Sequence, residues 1–364
     1  MIWNQEEGQG MTKLERYRGC LLAGGVGDQL GNDVEFMTRS QMLAEYGERG
    51  VRQMSRYITD DTQMTLFTAE GMLMGLKHRM PMPACVYQSY LDWYRTQMQY
   101  AKGGVFGKES LLMKEERLHR RRAPGNTCLG ALGSGDMGTI DEPINRSKGC
   151  GGVMRTAPCG LLRMAATPDA EDAYAMQGAM AAAITHSHIM GYVPAAMLAD
   201  MVHLIMLEDG RTLREITMDS LQRMMRLFSP EIAGADGCEA SEGAADGRFA
   251  QMLAFREMIV RAVKLAESDM PIHEAIRALG EGWVGDEALA IAILCVLRYP
   301  DDMEECLVAA VTHNGDSDST GAIAGNILGA WLGVEGIPAR WLEELEMRGL
   351  IDDMACRLYE AAEA

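Results

Sequence analysis

The stretch Asn314-Gly315-Asp316-Ser317-Asp318-Ser319-Thr320-Gly321-Ala322-Ile323-Ala324-Gly325-Asn326-Ile327-Leu328-Gly329-Ala330-Trp331-Leu332-Gly333 holds an acidic turn followed by a glycine ladder. Glycine recurs at 321, 325, 329 and 333, a four-residue spacing that lines these positions along one ridge of a helix. Each glycine costs up to about 1 kcal/mol of helix propensity relative to alanine. A bare ridge compensates only where another backbone packs closely against it. The spacing therefore predicts a helix at the centre of a bundle, packed nearly backbone to backbone.

Outward from this stretch the helical texture continues. Thr62–Leu76 sets Met64, Phe67, Gly71 and Met74 on one face, Gly178–Leu207 is rich in Ala, Met and Leu, and Asp286–Leu297 is built of strong helix formers. Alternating β-branched runs of strand length are hard to find. The reading is an all-α protein of one domain over residues 11–364, with residues 1–10 as an acidic tail open to disorder. Ser229–Gly247, rich in Gly, Ala and acids, reads as an exposed loop.

Composition narrows the function classes. At 364 residues and 48% hydrophobic content the chain can bury a sizeable core. Its 34 Lys and Arg stand against 52 Asp and Glu, a net charge of −18. That balance argues against nucleic acid as a partner, except as a modified substrate. Nine cysteines without a Cys-x-x-Cys pair suggest neither a disulfide framework nor a zinc knuckle. The N-terminus lacks a signal-peptide pattern, and no apolar run is expected to reach membrane-spanning length. A cytoplasmic location is the default expectation.

Two acidic clusters sit at expected helix starts, Thr59-Asp60-Asp61-Thr62 and Asn314–Gly321. A single carboxylate there is explained as a cap favoured by the helix dipole. Adjacent or alternating carboxylates repel one another and gain less. Hard oxygen donors in this pattern suit Mg²⁺ or Mn²⁺. A calcium loop fails because Ile327 stands where its bidentate Glu is due. Gly24–Gly31 misses the dinucleotide fingerprint, since Leu30 replaces its third glycine, and reads on its own as a tightly packed helix end. Ser147-Lys148-Gly149-Cys150-Gly151-Gly152 frees backbone N–H groups that could converge on an anion such as a pyrophosphate. Cys150 reads as a structural thiol rather than a nucleophile. Zinc at His186 and His188 lacks a cysteine pair or a third histidine, so ligand contact or helix capping is the better reading.

In order along the chain, these motifs resemble the ADP-ribosylglycohydrolase family from about Tyr17 to Gly333. The resemblance rests on Gly27-Asp28-Gln29-Leu30-Gly31 with Glu35-Phe36, Thr59-Asp60-Asp61-Thr62, Arg122-Ala123-Pro124-Gly125-Asn126-Thr127, Ser147–Arg155, Thr185-His186 and Gly315–Gly321. It implies a compact orthogonal helical bundle with a central metal cleft holding two Mg²⁺ ions. By that resemblance Thr59, Asp60, Asp61, Asp316, Asp318 and Ser319 ligate metal, and Asp60, Asp61 and Asp316 count with Glu35 as catalytic. Glu35 matches the family's acid four residues after Gly31. The loop Ser147, Lys148, Gly149, Cys150, Gly151 and Gly152 would hold the diphosphate, with Asn126 and His186 beside ADP-ribose. The sequence departs from the commonest pattern at Gln29, at Asn314-Gly315, and at Ala123-Pro124, where some nitrogenase-type members carry an acid.

The expected activity is Mg²⁺-dependent hydrolysis of the bond between ADP-ribose and a modified target, with protein ADP-ribosylarginine as the favoured substrate. Serine and nucleobase linkages stay open. The alternatives are a non-catalytic ADP-ribose binder, and an immunity protein that neutralises an ADP-ribosyltransferase toxin by occlusion.

Overall fold

The computed structural model describes residues 11–164, 171–229 and 247–364. Among them are sixteen α-helices and no strand, with an isolated antiparallel bridge between Gly149 and Val284. The all-α expectation holds. The tail at residues 1–10 lies outside the described residues. So does the expected loop, apart from its ends, where Ser229 is buried and Gly247 exposed. Helix starts follow local chemistry: Thr12 with Glu15, Thr38 with Gln41, and Thr212 with Glu215 each form a reciprocal capping box.

The glycine-ridged helix, Ser317–Leu332, is buried through most of its length and makes its largest contact with the first helix, Lys13–Gly31. Gly321 abuts Gly27, Gly325 abuts Ala23, and Gly329 abuts Gly19. A Cβ at any of the three ladder positions would overlap a carbonyl oxygen of the facing helix. Gly19, Gly27 and Gly31 form the matching ladder, so the glycines between 24 and 31 belong to the central interface rather than only to a helix end. Gly333 differs from the rest of the expected ridge. It closes the helix at φ +69°, where a side chain would be strained, although its backbone still abuts Gly19.

The Ala-, Met- and Leu-rich run divides into helices Ala173–Ala183 and Ile189–Met206, separated by the Thr185-His186-Ser187-His188 turn. His188 caps the second helix, its Nδ1 accepting the Met190 amide at 3.0 Å. The expectation about apolar runs needs correction. Ile189–Met206 has the length and mean hydropathy, 1.6, of a membrane span. It is nevertheless 94% buried inside the fold, which is the signature of a core helix.

Candidate functional site

Both acidic clusters cap helices, as their positions predict. Thr59 begins Asp60–His78 by accepting the Asp61 amide at 3.2 Å, and Asp316 begins Ser317–Leu332 by accepting the Ser319 amide at 3.3 Å. Asp28, on the first central helix, holds the Thr59 start in place. Its carboxylate accepts the Thr59 amide at 3.0 Å, the Thr62 amide at 3.1 Å and the Thr62 hydroxyl. The backbone-to-backbone pair thus carries one cluster at its own end and anchors the other through Asp28.

A cleft of about 390 Å³ opens where these elements meet. Glu35, Asp60, Asp61, Asp316, Asp318 and Ser319 line it, together with Asn126, Gly149, Cys150, Gly151 and His186. Carboxylate oxygens of Glu35, Asp316 and Asp318 lie within 4.8 Å of one another. Among the described residues, no Lys or Arg forms an ion pair with any of these acids.

Burial, reinforced by neighbouring carboxylates, pushes Glu35 up to about 7 and Asp60 up to about 8. The same causes hold Asp61 and Asp318 well above the usual carboxylate range. Asp61 Oδ1 is buried with no hydrogen-bond partner. A set of hard oxygen donors that lacks a counter-cation and leaves one oxygen orphaned fits a divalent metal ion.

Loop pairing builds the opposite rim. The Cys150 amide donates to Trp283 O at 3.2 Å and the Gly285 amide to Lys148 O at 2.8 Å. The Asp316 amide donates to Glu281 O at 2.9 Å. Residues 281–285 therefore staple the glycine turn to the acidic turn. Trp283 is carried to the cleft mouth, stacked on exposed Phe36 with ring centroids 5.8 Å apart.

Several sequence-derived site residues sit elsewhere. Thr59 is buried and does not itself line the cleft, its hydroxyl donating to Asp61 Oδ2 at 3.3 Å. Ser147, Lys148 and Gly152 do not line the cleft: Lys148 is exposed and Gly152 packs against Gly191. Much of the turn's expected anion-binding capacity is already used. The Gly149 amide meets Ser147 Oγ and the Cys150 and Gly152 amides meet carbonyls, whereas the Gly151 amide has no acceptor among the described residues. The Cys150 thiol donates to Asp316 Oδ2 at 2.6 Å, and burial holds its pKa well above the ordinary value. Burial and the neighbouring Asp316 charge both disfavour the thiolate there.

Asp28, Phe36 and Trp283 are the residues to which sequence reasoning gave no role. An acid inside a glycine-rich helix was a usable signal for Asp28. Trp283 had none, because its placement depends on loop pairing.

Chain, fold and site can now be set beside known proteins. The ADP-ribosylglycohydrolase family model matches residues 9–364. The chain belongs to the ADP-ribosylglycohydrolase family. It is 26% identical to the ADP-ribosyl-[dinitrogen reductase] glycohydrolase of Rhodospirillum rubrum, with 93% of each chain covered. It is 26% identical to ADP-ribosylhydrolase ARH3 of Danio rerio, covering 95% of this chain and 90% of that one. It is 24% identical to the ADP-ribosylarginine hydrolase Tri1 of Pseudomonas putida, covering 96% and 79%. The fold matches a solved chain of an ADP-ribosylglycohydrolase-related protein complex with a TM-score of 0.62 at 23% identity, covering 96% of this chain and 99% of that one. ADP-ribosylglycohydrolase membership supports ADP-ribosyl hydrolase chemistry, and the acidic cleft can bind metal.

Proposed function

We propose that this ADP-ribosylglycohydrolase is a Mg²⁺-dependent enzyme that releases ADP-ribose from a modified protein, with the arginine linkage as the favoured substrate. The observation that carries the metal requirement is the convergence of Glu35, Asp60, Asp61, Asp316 and Asp318 on one cleft without a counter-cation. Support for arginine comes from the relative named as an ADP-ribosylarginine hydrolase.

Asp60, Asp61, Asp316, Asp318 and Ser319 would hold two Mg²⁺ ions, and Mn²⁺ suits the same oxygens. Divalent ions there supply positive charge that orients ribose hydroxyls and acidifies water. The chain's own contribution to proton transfer is Glu35, a half-buried carboxylate that lines the cleft beside Asp316 and Asp318. In the hydrolysis, the bond from ribose C1″ to the target atom breaks and a bond from C1″ to a water oxygen forms. One water proton stays on the new C1″ hydroxyl; the other passes to Glu35 and from it to the departing target atom, so that Glu35 ends as it began. The Gly151 amide, which has no acceptor among the described residues, would serve the diphosphate, and His186 and Asn126 line the same cleft.

The test is a release assay on Arg-, Ser- and nucleobase-linked ADP-ribose, with Mg²⁺ and with EDTA. Mg²⁺-dependent release from the arginine conjugate is expected. Equal release in EDTA would remove the metal from the mechanism, and release from only another conjugate would reassign the substrate.

A further inference from the structure

Arg155 is completely buried, yet no carboxylate pairs with it among the described residues. Its guanidinium lies 4.4 Å from the centre of the Tyr90 ring and 3.3–3.4 Å from the sulfurs of Met64 and Cys128. One Nη donates to Ala181 O at 3.2 Å and to Thr185 Oγ1 at 2.6 Å. A buried cation costs free energy that an apolar side chain of similar volume avoids. Packing alone is therefore a poor account of Arg155.

What it touches leads to the cleft. Thr185 Oγ1 lies 2.8 Å from Nδ1 of His186. Guanidinium has donors only, so the Arg155–Thr185 bond runs in one direction and fills an acceptor position on the hydroxyl. The hydroxyl proton then points away from the cation. It has two acceptors within reach, His186 Nδ1 and the Cys128 sulfur, and sulfur is the weak one. Donation to Nδ1 leaves that nitrogen without a proton and puts the proton of neutral imidazole on Nε2. His186 stays neutral, because burial and then the nearby Arg155 charge press its pKa down to about 3.

His186 Nε2 has no protein partner among the described residues, and the ring lines the cleft below the glycine turn. A Cβ on Gly149 or Gly151 would come within 3.3–3.4 Å of that nitrogen. The bare turn leaves its proton room to reach a ligand. We infer that Arg155 and Thr185 are positioning residues whose hydrogen bonds hold His186 as the Nε2–H tautomer, aimed at an acceptor oxygen of the ligand's diphosphate. The direction of the relay stands on the protein's geometry, and the ligand half rests on the proposed function.

Nitrogen-15 NMR of histidine-labelled, Mg²⁺-loaded protein, assigned with a His186→Gln control, reads the tautomer directly. The expected spectrum has a proton on Nε2, none on Nδ1, and an Nε2 resonance that moves when ADP-ribose is added. Thr185→Val removes the hydroxyl at nearly constant shape. It should give mixed tautomers and weaken ADP-ribose binding by roughly 3- to 30-fold. Thr185→Ser should restore both. A proton on Nδ1 in the wild-type protein would overturn the relay, as would a Thr185→Val spectrum and affinity unchanged from wild type. If the wild-type protein shows the Nε2–H tautomer but binds no ADP-ribose, the ligand half falls with the functional reading while the relay stands.

Discussion

The two ends of the central helix pair obey opposite rules. Along Gly19, Ala23 and Gly27 against Gly321, Gly325 and Gly329, side chains have been removed until the backbones touch. At the end of that same interface, Gly31 abuts the Ser317-Asp318 backbone, and the chain collects carboxylates that repel one another. The first region is optimised for contact. The second holds buried charge that the protein alone leaves unpaired, as binding sites commonly do at the expense of stability. Rigid backbone contact brings the acids together, and their repulsion is what a bound cation would relieve.

The largest expected effect follows from removing ligands or the proton carrier. Asp60→Ala and Asp316→Ala should each take ADP-ribose release below detection while the protein remains folded. Near-normal, Mg²⁺-dependent turnover in either variant would split the shared centre into two unrelated caps. Glu35→Gln keeps size and loses charge, and should lower turnover by about two to four orders of magnitude with ADP-ribose binding retained. Weaker binding at unchanged turnover would make Glu35 a substrate-positioning group instead. Single-turnover release and calorimetry on the same preparation tell these apart.

The scaffold should respond in the opposite sense. Gly325→Leu drives a side chain into the Ala23 carbonyl, and overpacking of that kind costs about 1–3 kcal/mol or more. A lower thermal midpoint, or loss of soluble protein, is expected. An unchanged midpoint would show that the two helices separate freely, and the contact rule would fail.

These two regions also differed in how far the sequence disclosed them. The Gly321–Gly329 ladder was legible because helical geometry converts a four-residue spacing directly into a ridge, although Gly333 needed its backbone angle to be understood. The acids at 60, 61, 316 and 318 were legible because paired charge exceeds what a helix cap uses. The partition of the glycine turn was not. Whether Lys148 and Gly152 face the ligand or turn away depends on the 281–285 loop, far off in sequence, pairing with that turn. Arg155 and Thr185 were quoted only as parts of motifs, since nothing local signals that one buried side chain orients another.

Neutralising one of the crowded acids should sharpen the contrast further. Asp318→Asn preserves volume and removes a charge from a group that burial and the Asp61, Asp316 and Glu35 carboxylates all disfavour. In EDTA at pH 8 the variant is expected to be more stable than wild type, seen as a higher thermal midpoint. It should at the same time lose Mg²⁺-induced stabilisation. A destabilised variant would indicate that the Asp318 bond to the Ser319 amide, 2.9 Å, outweighs the repulsion.

The smallest effect is a pH slope of the metal-free protein, and its sign follows from linkage. Folding raises Asp28 to about 6, Glu35 to about 7 and Asp60 to about 8, mainly through burial. Unfolded carboxylates titrate near 4. The folded chain therefore binds more protons than the unfolded one in between, and stability falls as pH rises through that window. The histidines act in the other direction and lower down. His186 at about 3 and His203 at about 4 remove stability as pH falls below 6.5. From pH 6.5 to 8 the acids govern the slope, so the midpoint in EDTA should drop by a few degrees. Metal binding displaces those protons, and the Mg²⁺-induced rise in midpoint should accordingly be larger at pH 8 than at pH 6.5. Asp318→Asn should flatten both trends. A midpoint that climbs from pH 6.5 to 8 in EDTA would mean the acids are already ionised and solvated in the folded protein, and the contrast between a contact region and a charge-strained region would collapse.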